Sequence, residues 1–206
     1  MSKVGLFFAG ALSVFAVILL GGGVFLIGAH GFSAREQPSA LERWISRRAR
    51  AISLPASARE TRNPIPDSPQ AQAEAMAHWA DHCAVCHANN GSGDVEMGKR
   101  MYPRAPDMRQ RETQGMTDGE LFFIIQNGIR MTGMPAWGGT NKDHGERDSW
   151  NLVHFIRHLP QLSAEQEREM RTLNPKSPEE LREEQEEKEF LNGDQSDEHT
   201  QHEHHH

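Results

Sequence analysis

The sequence predicts an all-α fold, and three observations carry that prediction. Apolar residues recur at helical spacing in several stretches, recognisable helix starts precede them, and no stretch sustains strand alternation. With 36 % hydrophobic residues, 25 % charged residues and a formal charge of -7 over 206 residues, the composition is that of a modest globular protein with solvated additions. The apolar residues are unevenly spread. Residues 4–29 carry no charge at all, whereas large apolar side chains are sparse after Leu159.

The first element is that charge-free run of 26 residues, long enough to cross a hydrocarbon slab of about 30 Å as a helix. A secretory signal normally has an apolar core of roughly 7 to 15 residues and a small-residue cleavage site. This run is longer and lacks a convincing site, so an uncleaved anchor over residues 1–29 is expected. Charge raises a tension: only Lys3 precedes the run, and Arg35, Arg43, Arg47, Arg48 and Arg50 follow it. A literal positive-inside count would place the bulk of the chain in the cytoplasm.

Residues 30–70 read as an amphipathic helix followed by a linker. Leu41, Trp44, Ile45 and Ile52 alternate with arginines over residues 39–54, which suits either an anionic membrane surface or a solvated stalk. Four prolines within residues 55–69 then predict an extended, semi-rigid connection. A globular domain is expected over 71–160. Its first helix starts near Ala71 and gathers Met76, Trp79, Ala80 and Cys83 on one face. The pair Thr117 and Glu120 announces a second, with Leu121, Phe122, Ile125 and Ile129 turned inward. A third begins near Asp148 or Ser149, carries Leu152, Phe155, Ile156 and Leu159 at i, i+3, i+4 and i+7, and ends at Pro160.

Residues 161–206 form an acidic tail holding 5 Lys and Arg against 14 Asp and Glu. Ser163 with Gln166, and Ser177 followed by Pro178, are helix starts, so a solvated helix grading into disorder is expected. The tail ends with His199, His202, His204, His205 and His206, which could hold copper, nickel or zinc or simply be a flexible polar end. Nucleic acid is excluded as a partner, because the chain is acidic and its domain has no concentrated basic patch.

Three helices in about 90 residues make a thin core, and a domain of that kind often needs a staple. The only two cysteines stand as Cys83-Ala84-Val85-Cys86-His87. That spacing fits covalent haem attachment, in which each thiol adds to one vinyl group and the adjacent imidazole reaches the iron from the same side. A thioredoxin-type pair would want a βαβ context, a zinc site would want further ligands, and a disulfide across three residues would staple almost nothing. A sixth ligand is offered by residues 127–139, where Met134 precedes Pro135 between glycines. Met131 competes with it, while Met76, Met97, Met108 and Met116 read as gap fillers.

The order of helix, CxxCH, glycine-rich loop, "YPRAPDM" at 102–108, amphipathic helix, "GMPAW" at 133–137 and a final Trp-bearing helix resembles the class I monohaem cytochrome c family. The resemblance implies one covalent haem c bound through Cys83 and Cys86, with His87 as proximal and Met134 as distal iron ligand. It implies that the carbonyl of Pro106, with Pro103 as fallback, accepts the proximal imidazole N–H. It also implies that the first helix packs on the last, Met76 and Trp79 against the Trp150 and Phe155 side. The function so implied is one-electron transfer without catalysis, by a carrier tethered to the bacterial cytoplasmic membrane with its domain in the periplasm. Its partners would be membrane redox proteins acting as donor and acceptor; the alternatives are a haem subunit of a larger oxidase or dehydrogenase and a haem-based ligand sensor. Haem attachment on the outer side overrules the arginine count.

Overall fold

A computed structural model of the chain describes residues 2–28, 33–139 and 142–200. His202, His204, His205 and His206 therefore lie outside the described residues, and so does the end of the expected anchor. All regular structure among the described residues is helical.

Helix α1 (Lys3–Gly28) contains the one candidate membrane span among the described residues, Lys3–Phe25, and that span is not buried against the rest of the chain. That isolation suits a helix whose apolar surface meets lipid on all sides. It fits a membrane anchor. Helix α2 (Ala40–Ser53) opens with a capping box in which the Ser39 hydroxyl accepts from the Glu42 N–H and Glu42 accepts from the Ser39 N–H.

The proline-rich stretch departs from expectation. It is not extended throughout: Ala56–Glu60 forms helix α3, with Leu54 and Ala58 buried. A helix from the globular domain accounts for this. Helix α8, described below, carries Gly119 in its first turn, and a Cβ there would stand 2.0 Å from the Ala58 carbonyl oxygen. Only glycine allows that approach. Arg59 Nε donates to Glu120 Oε1 at 3.1 Å, Asn63 Nδ2 donates to the Trp150 carbonyl at 2.9 Å, and Ile65 packs against the core. The segment is a strap on the domain.

Helix α4 (Pro69–His78) has Ser68 as its cap and proline at its first position. It runs into one π-helical turn, Trp79–Cys83, and then into the short helix α5 (Ala84–His87). Two further short helices, α6 (Glu96–Arg100) and α7 (Arg111–Gln114), punctuate the loops that follow. Helix α8 (Asp118–Asn127) starts at the expected Thr117 and Glu120 capping box, with Leu121 and Ile125 buried. Helix α9 (Lys142–His158) begins about a turn and a half before the expected start and gives way to a 3-10 turn, Leu159–Gln161, at Pro160.

The core forms where α4 and its π turn cross α9. Trp79 and Phe155 lie with ring centroids 5.5 Å apart, and Phe122 stacks on Trp150 at 3.9 Å and 6°. Val153, Leu152, Ile156 and Leu159 complete it. First and last helices of the domain thus pack on the expected faces. Arg157 locks α9 to α8: its Nε and Nη2 donate to Asp118 Oδ1 at 2.9 and 2.8 Å, and its Nη1 donates to the Gln114 carbonyl at 2.8 Å.

The beginning of the acidic tail also differs from expectation. Helix α10 (Ala164–Leu173) keeps the Ser163 and Gln166 capping box but is docked, with Met170 fully buried in the same core. Asn174 Nδ2 then donates to the Ala80 carbonyl at 2.8 Å and to Asn89 Oδ1 at 3.0 Å. One long apolar side chain and two amide contacts suffice to dock a helix that is otherwise polar. Helix α11 (Pro178–Thr200) follows, with Glu179 and Glu180 in its first turn where the helix dipole favours acids.

Candidate functional site

The Cys83–His87 turn is shaped by the π segment. One π turn places an extra residue ahead of Ala84, whose N–H donates to the Trp79 carbonyl, and such single turns recur where a helix must re-aim side chains. The turn ends at Ala88, which adopts φ 63° and stops the helix immediately after His87. Two hydrogen bonds fix that stop: Trp79 Nε1 donates to the Ala88 carbonyl at 3.0 Å, and the Gly93 N–H donates to the His87 carbonyl at 2.8 Å. The Trp79 ring lies 5.8 Å from the His87 ring. Core and site therefore share Trp79.

The loop after His87 wraps closely round the turn. A Cβ on Gly98 would stand 2.2 Å from the Cys86 carbonyl oxygen, so glycine alone fits there. The Met108 N–H donates to the Gly91 carbonyl at 2.8 Å, which draws the Pro106–Met108 stretch alongside. Gly98→Ala is expected to push the loop off the turn at a cost of about 3 kcal/mol, read as a lowered thermal midpoint with the helical signal of α8 and α9 retained.

Cys83 and Cys86 are both free thiols, half-buried and not joined to each other. Burial pushes the Cys83 thiol up to about 12, with the neighbouring Cys86 adding to the shift, and burial also raises Cys86. Neither is a poised thiolate of the kind a disulfide exchanger requires. No group of three or more His, Cys, Asp or Glu gathers round them to hold a metal among the described residues.

His87 carries the most informative polar atom. Burial lowers its pKa, and the Pro106 carbonyl opposes the shift by attracting the imidazole N–H. That contact is loose. Nδ1 of His87 is buried and has no partner within full hydrogen-bond geometry, so Pro106 faces the ring without closing on it. A buried imidazole oriented by a carbonyl on one nitrogen, with the other free to bind, is the usual arrangement of a metal-ligating histidine.

Asp107 secures the Pro106 loop. Its carboxylate receives Arg109 Nε and Nη2 at 2.8 and 2.9 Å and Gln110 Nε2 at 3.0 Å. The Arg109 guanidinium holds its pKa down at about 2. A depressed carboxylate adds stability above its unfolded value near 3.8, and loses it as pH falls through about 2. Asp107→Asn is thus expected to lower the thermal midpoint at neutral pH, with the gap from the parent closing in titrations from pH 4 towards 2.

Met134 sits on the opposite loop, half-buried between α8 and α9 in sequence. Its N–H donates to Thr132 Oγ1 at 3.1 Å and its carbonyl accepts from the Ile129 N–H at 3.1 Å. The Trp137 and Gly138 N–H groups donate to the Ile125 and Gln126 carbonyls, so the loop folds back on the end of α8. Met131, the competing thioether, is 92 % exposed at φ 62°. The Met134 loop meets the π turn, where the His82 and Trp137 rings lie 5.6 Å apart, and the loop after His87, where a Cβ on Gly133 would stand 2.7 Å from Met101 Sδ.

The structure therefore brings Pro106 to the His87 ring, and the Met134 loop to Met101 and to His82, the residue just before Cys83. Residues 70–156 match the family model described as "Cytochrome C oxidase, cbb3-type, subunit III". Over this segment the chain is similar to a cytochrome c domain. No curated protein matches the chain. The cytochrome c family implies haem c, and the residues present fit it: two free thiols three positions apart, a buried histidine directly after them whose ring faces the Pro106 carbonyl, and a backbone cradle open only to glycine. The sequence did not single out Met101, Thr132 or Trp79 Nε1 as supports of this site. Only the glycine-rich character of the loop hinted at the close approach round Cys86.

Proposed function

We propose that this cytochrome is a membrane-tethered, periplasmic one-electron carrier with a single covalent haem c ligated by His87 and Met134. The observation that carries the reading is the contact of the Met134 loop with Met101 and with His82, the residue just before Cys83. A haem held there supplies reversible one-electron iron chemistry. Cys83 and Cys86 would hold it through thioether bonds. His87 would ligate the iron, with the Pro106 carbonyl keeping the ring turned so that Nδ1–H points towards the loop. Met134 would supply a thioether, which favours the reduced ion and so would raise the potential. With His87 and Met134 both serving as ligands, no position would remain for a substrate, which supports electron transfer as the whole activity. Trp79, Trp137 and the neighbouring apolar groups limit water, so little reorganisation accompanies a change of charge.

Helix α1 ties the domain to a surface and raises its effective concentration near membrane donors and acceptors. Covalent haem attachment, as the family resemblance implies it, occurs on the outer face, which supports the periplasmic side over the arginine count.

A second reading has a specific observation in its favour. The matching family model describes a subunit of a cbb3-type cytochrome c oxidase, so this domain would relay electrons within a larger respiratory complex. An optical redox titration of the isolated membrane fraction tests the first reading: one single-electron wave with the red-region Met-to-iron band in the oxidised form supports it. Ready uptake of carbon monoxide by the reduced protein overturns it. Extraction in mild detergent separates the two, since a carrier migrates alone and a subunit migrates with its complex.

A further inference from the structure

Helix α2 docks on the domain with the wrong face for a soluble helix. An amphipathic helix beside a globular domain normally turns its apolar stripe to that domain and its charges to water. Here Leu41, Trp44, Ile45, Arg48 and Ile52 share one face, spaced i, i+3, i+4, i+7 and i+11, and α2 has no buried residue. Leu41 is 64 %, Trp44 56 %, Ile45 50 % and Ile52 83 % exposed. Contacts to the domain come instead from the other side. Tyr102 Oη donates to Glu42 Oε1 at 2.9 Å, Arg47 pairs with Glu112, and Arg50 is half-buried. The charged face is bonded inward and the apolar face is turned outward.

Two observations say what covers that face. The α1 span ends at Gly28 and α2 begins at Ala40, so the helix lies within about 40 Å of chain from the end of α1. The face also carries one cation, Arg48, stacked over the Trp44 ring at 5.8 Å. A tryptophan beside arginine at the rim of an aliphatic stripe matches the boundary between anionic headgroups and acyl chains.

We propose that α2 is an interfacial helix, lying with Leu41, Trp44, Ile45 and Ile52 in the anionic surface of the bilayer that α1 crosses. The proposal rests on the membrane-tethered reading and adds an orientation to it. Because α2 is bonded to Tyr102 and Glu112, and the strap continues through the buried Leu54 and Ala58 to Gly119, lipid contact fixes the whole domain. Tyr102 adjoins Met101, which touches Gly133 of the Met134 loop, so that loop is held close to the membrane plane. The domain then presents one side to membrane partners and does not tumble on a flexible leash.

The test uses the full haem-loaded chain in lipid nanodiscs containing phosphatidylglycerol, with acyl chains either plain or brominated near the headgroup. The Trp44 signal is the difference in emission between the parent and Trp44→Phe. It is expected to fall about twofold in brominated discs, since an interfacial helix sits at that depth. The pair Ile45→Asp with Ile52→Asp is expected to restore it while leaving the haem spectrum unchanged. Equal Trp44 emission in both kinds of disc, with the chain retained through an alkaline carbonate wash, overturns the interfacial helix and leaves the tether standing. Loss of the chain from the discs in that wash overturns the tether, and the interfacial helix with it.

Discussion

Cys83→Ser combined with Cys86→Ser is expected to give a protein from which acid extraction removes all haem and whose helices melt at a much lower temperature. The reason lies in how little packs on the far side of the Cys83–His87 turn. The buried cluster runs along α4, the π turn, α8, α9 and Met170, all on one side of the Cys83–His87 turn. On the other side stand a loop of short helices and turns, α6 and α7 among them, and the Met134 loop; Met101 meets Gly133 between them, and Trp137 meets His82 of the π turn. A core of this size supplies only about 3–5 kcal/mol by itself. A cofactor bound to the folded state alone adds a term of similar size, and covalent attachment keeps that term at any concentration. Losing about 3 kcal/mol in a domain of this length lowers the midpoint by on the order of 10–20 °C. Circular dichroism melts with a pyridine haemochrome assay read both effects. A double variant that keeps its pigment through acid extraction, or melts with the parent, would remove the thiols from the binding role.

The parts of this fold that could be read in advance are those with a local cause. Thr117 and Glu120 cap α8 because the box closes within four residues, and Leu152, Phe155, Ile156 and Leu159 declare the buried stripe of α9 by spacing alone. Cys83, Cys86 and His87 announce their chemistry within five positions. What escaped has a long-range cause. The π turn at Trp79–Cys83 is set by the fit of Trp79 between Phe155 and His87, which no local pattern encodes. Residues 56–60 read as linker because prolines surround them, yet they dock because Gly119, some sixty positions on, lets a backbone approach. Helix α10 read as solvated because it is polar, and a single buried Met170 attaches it. Thr132 and Met101 became relevant to the site only when the two loops were brought together.

Met134→Ala is expected to leave haem covalently bound but high-spin or misligated, with the red-region Met-to-iron band gone. Met131→Ala is expected to leave the spectrum nearly unchanged. The two methionines are three residues apart in one loop, so composition alone cannot rank them. Their backbones differ. Met131 stands at a left-handed position with its side chain 92 % exposed, where nothing fixes a rotamer. Met134 is held at both its backbone groups, by Thr132 Oγ1 and by the Ile129 N–H, in the stretch that folds back on the end of α8. A thioether is a weak ligand that depends on being presented, so the better-fixed methionine is the better donor. Loss of the ligand would also lower the reduction potential, because a thioether is the group that favours the reduced ion. Thr132→Val offers an intermediate case: it removes the hydroxyl that holds the Met134 N–H, and a weakened but surviving band would show that the loop positions the sulfur. If Met131→Ala abolishes the band and Met134→Ala spares it, the ligand is Met131 and the left-handed turn at that residue is what presents it.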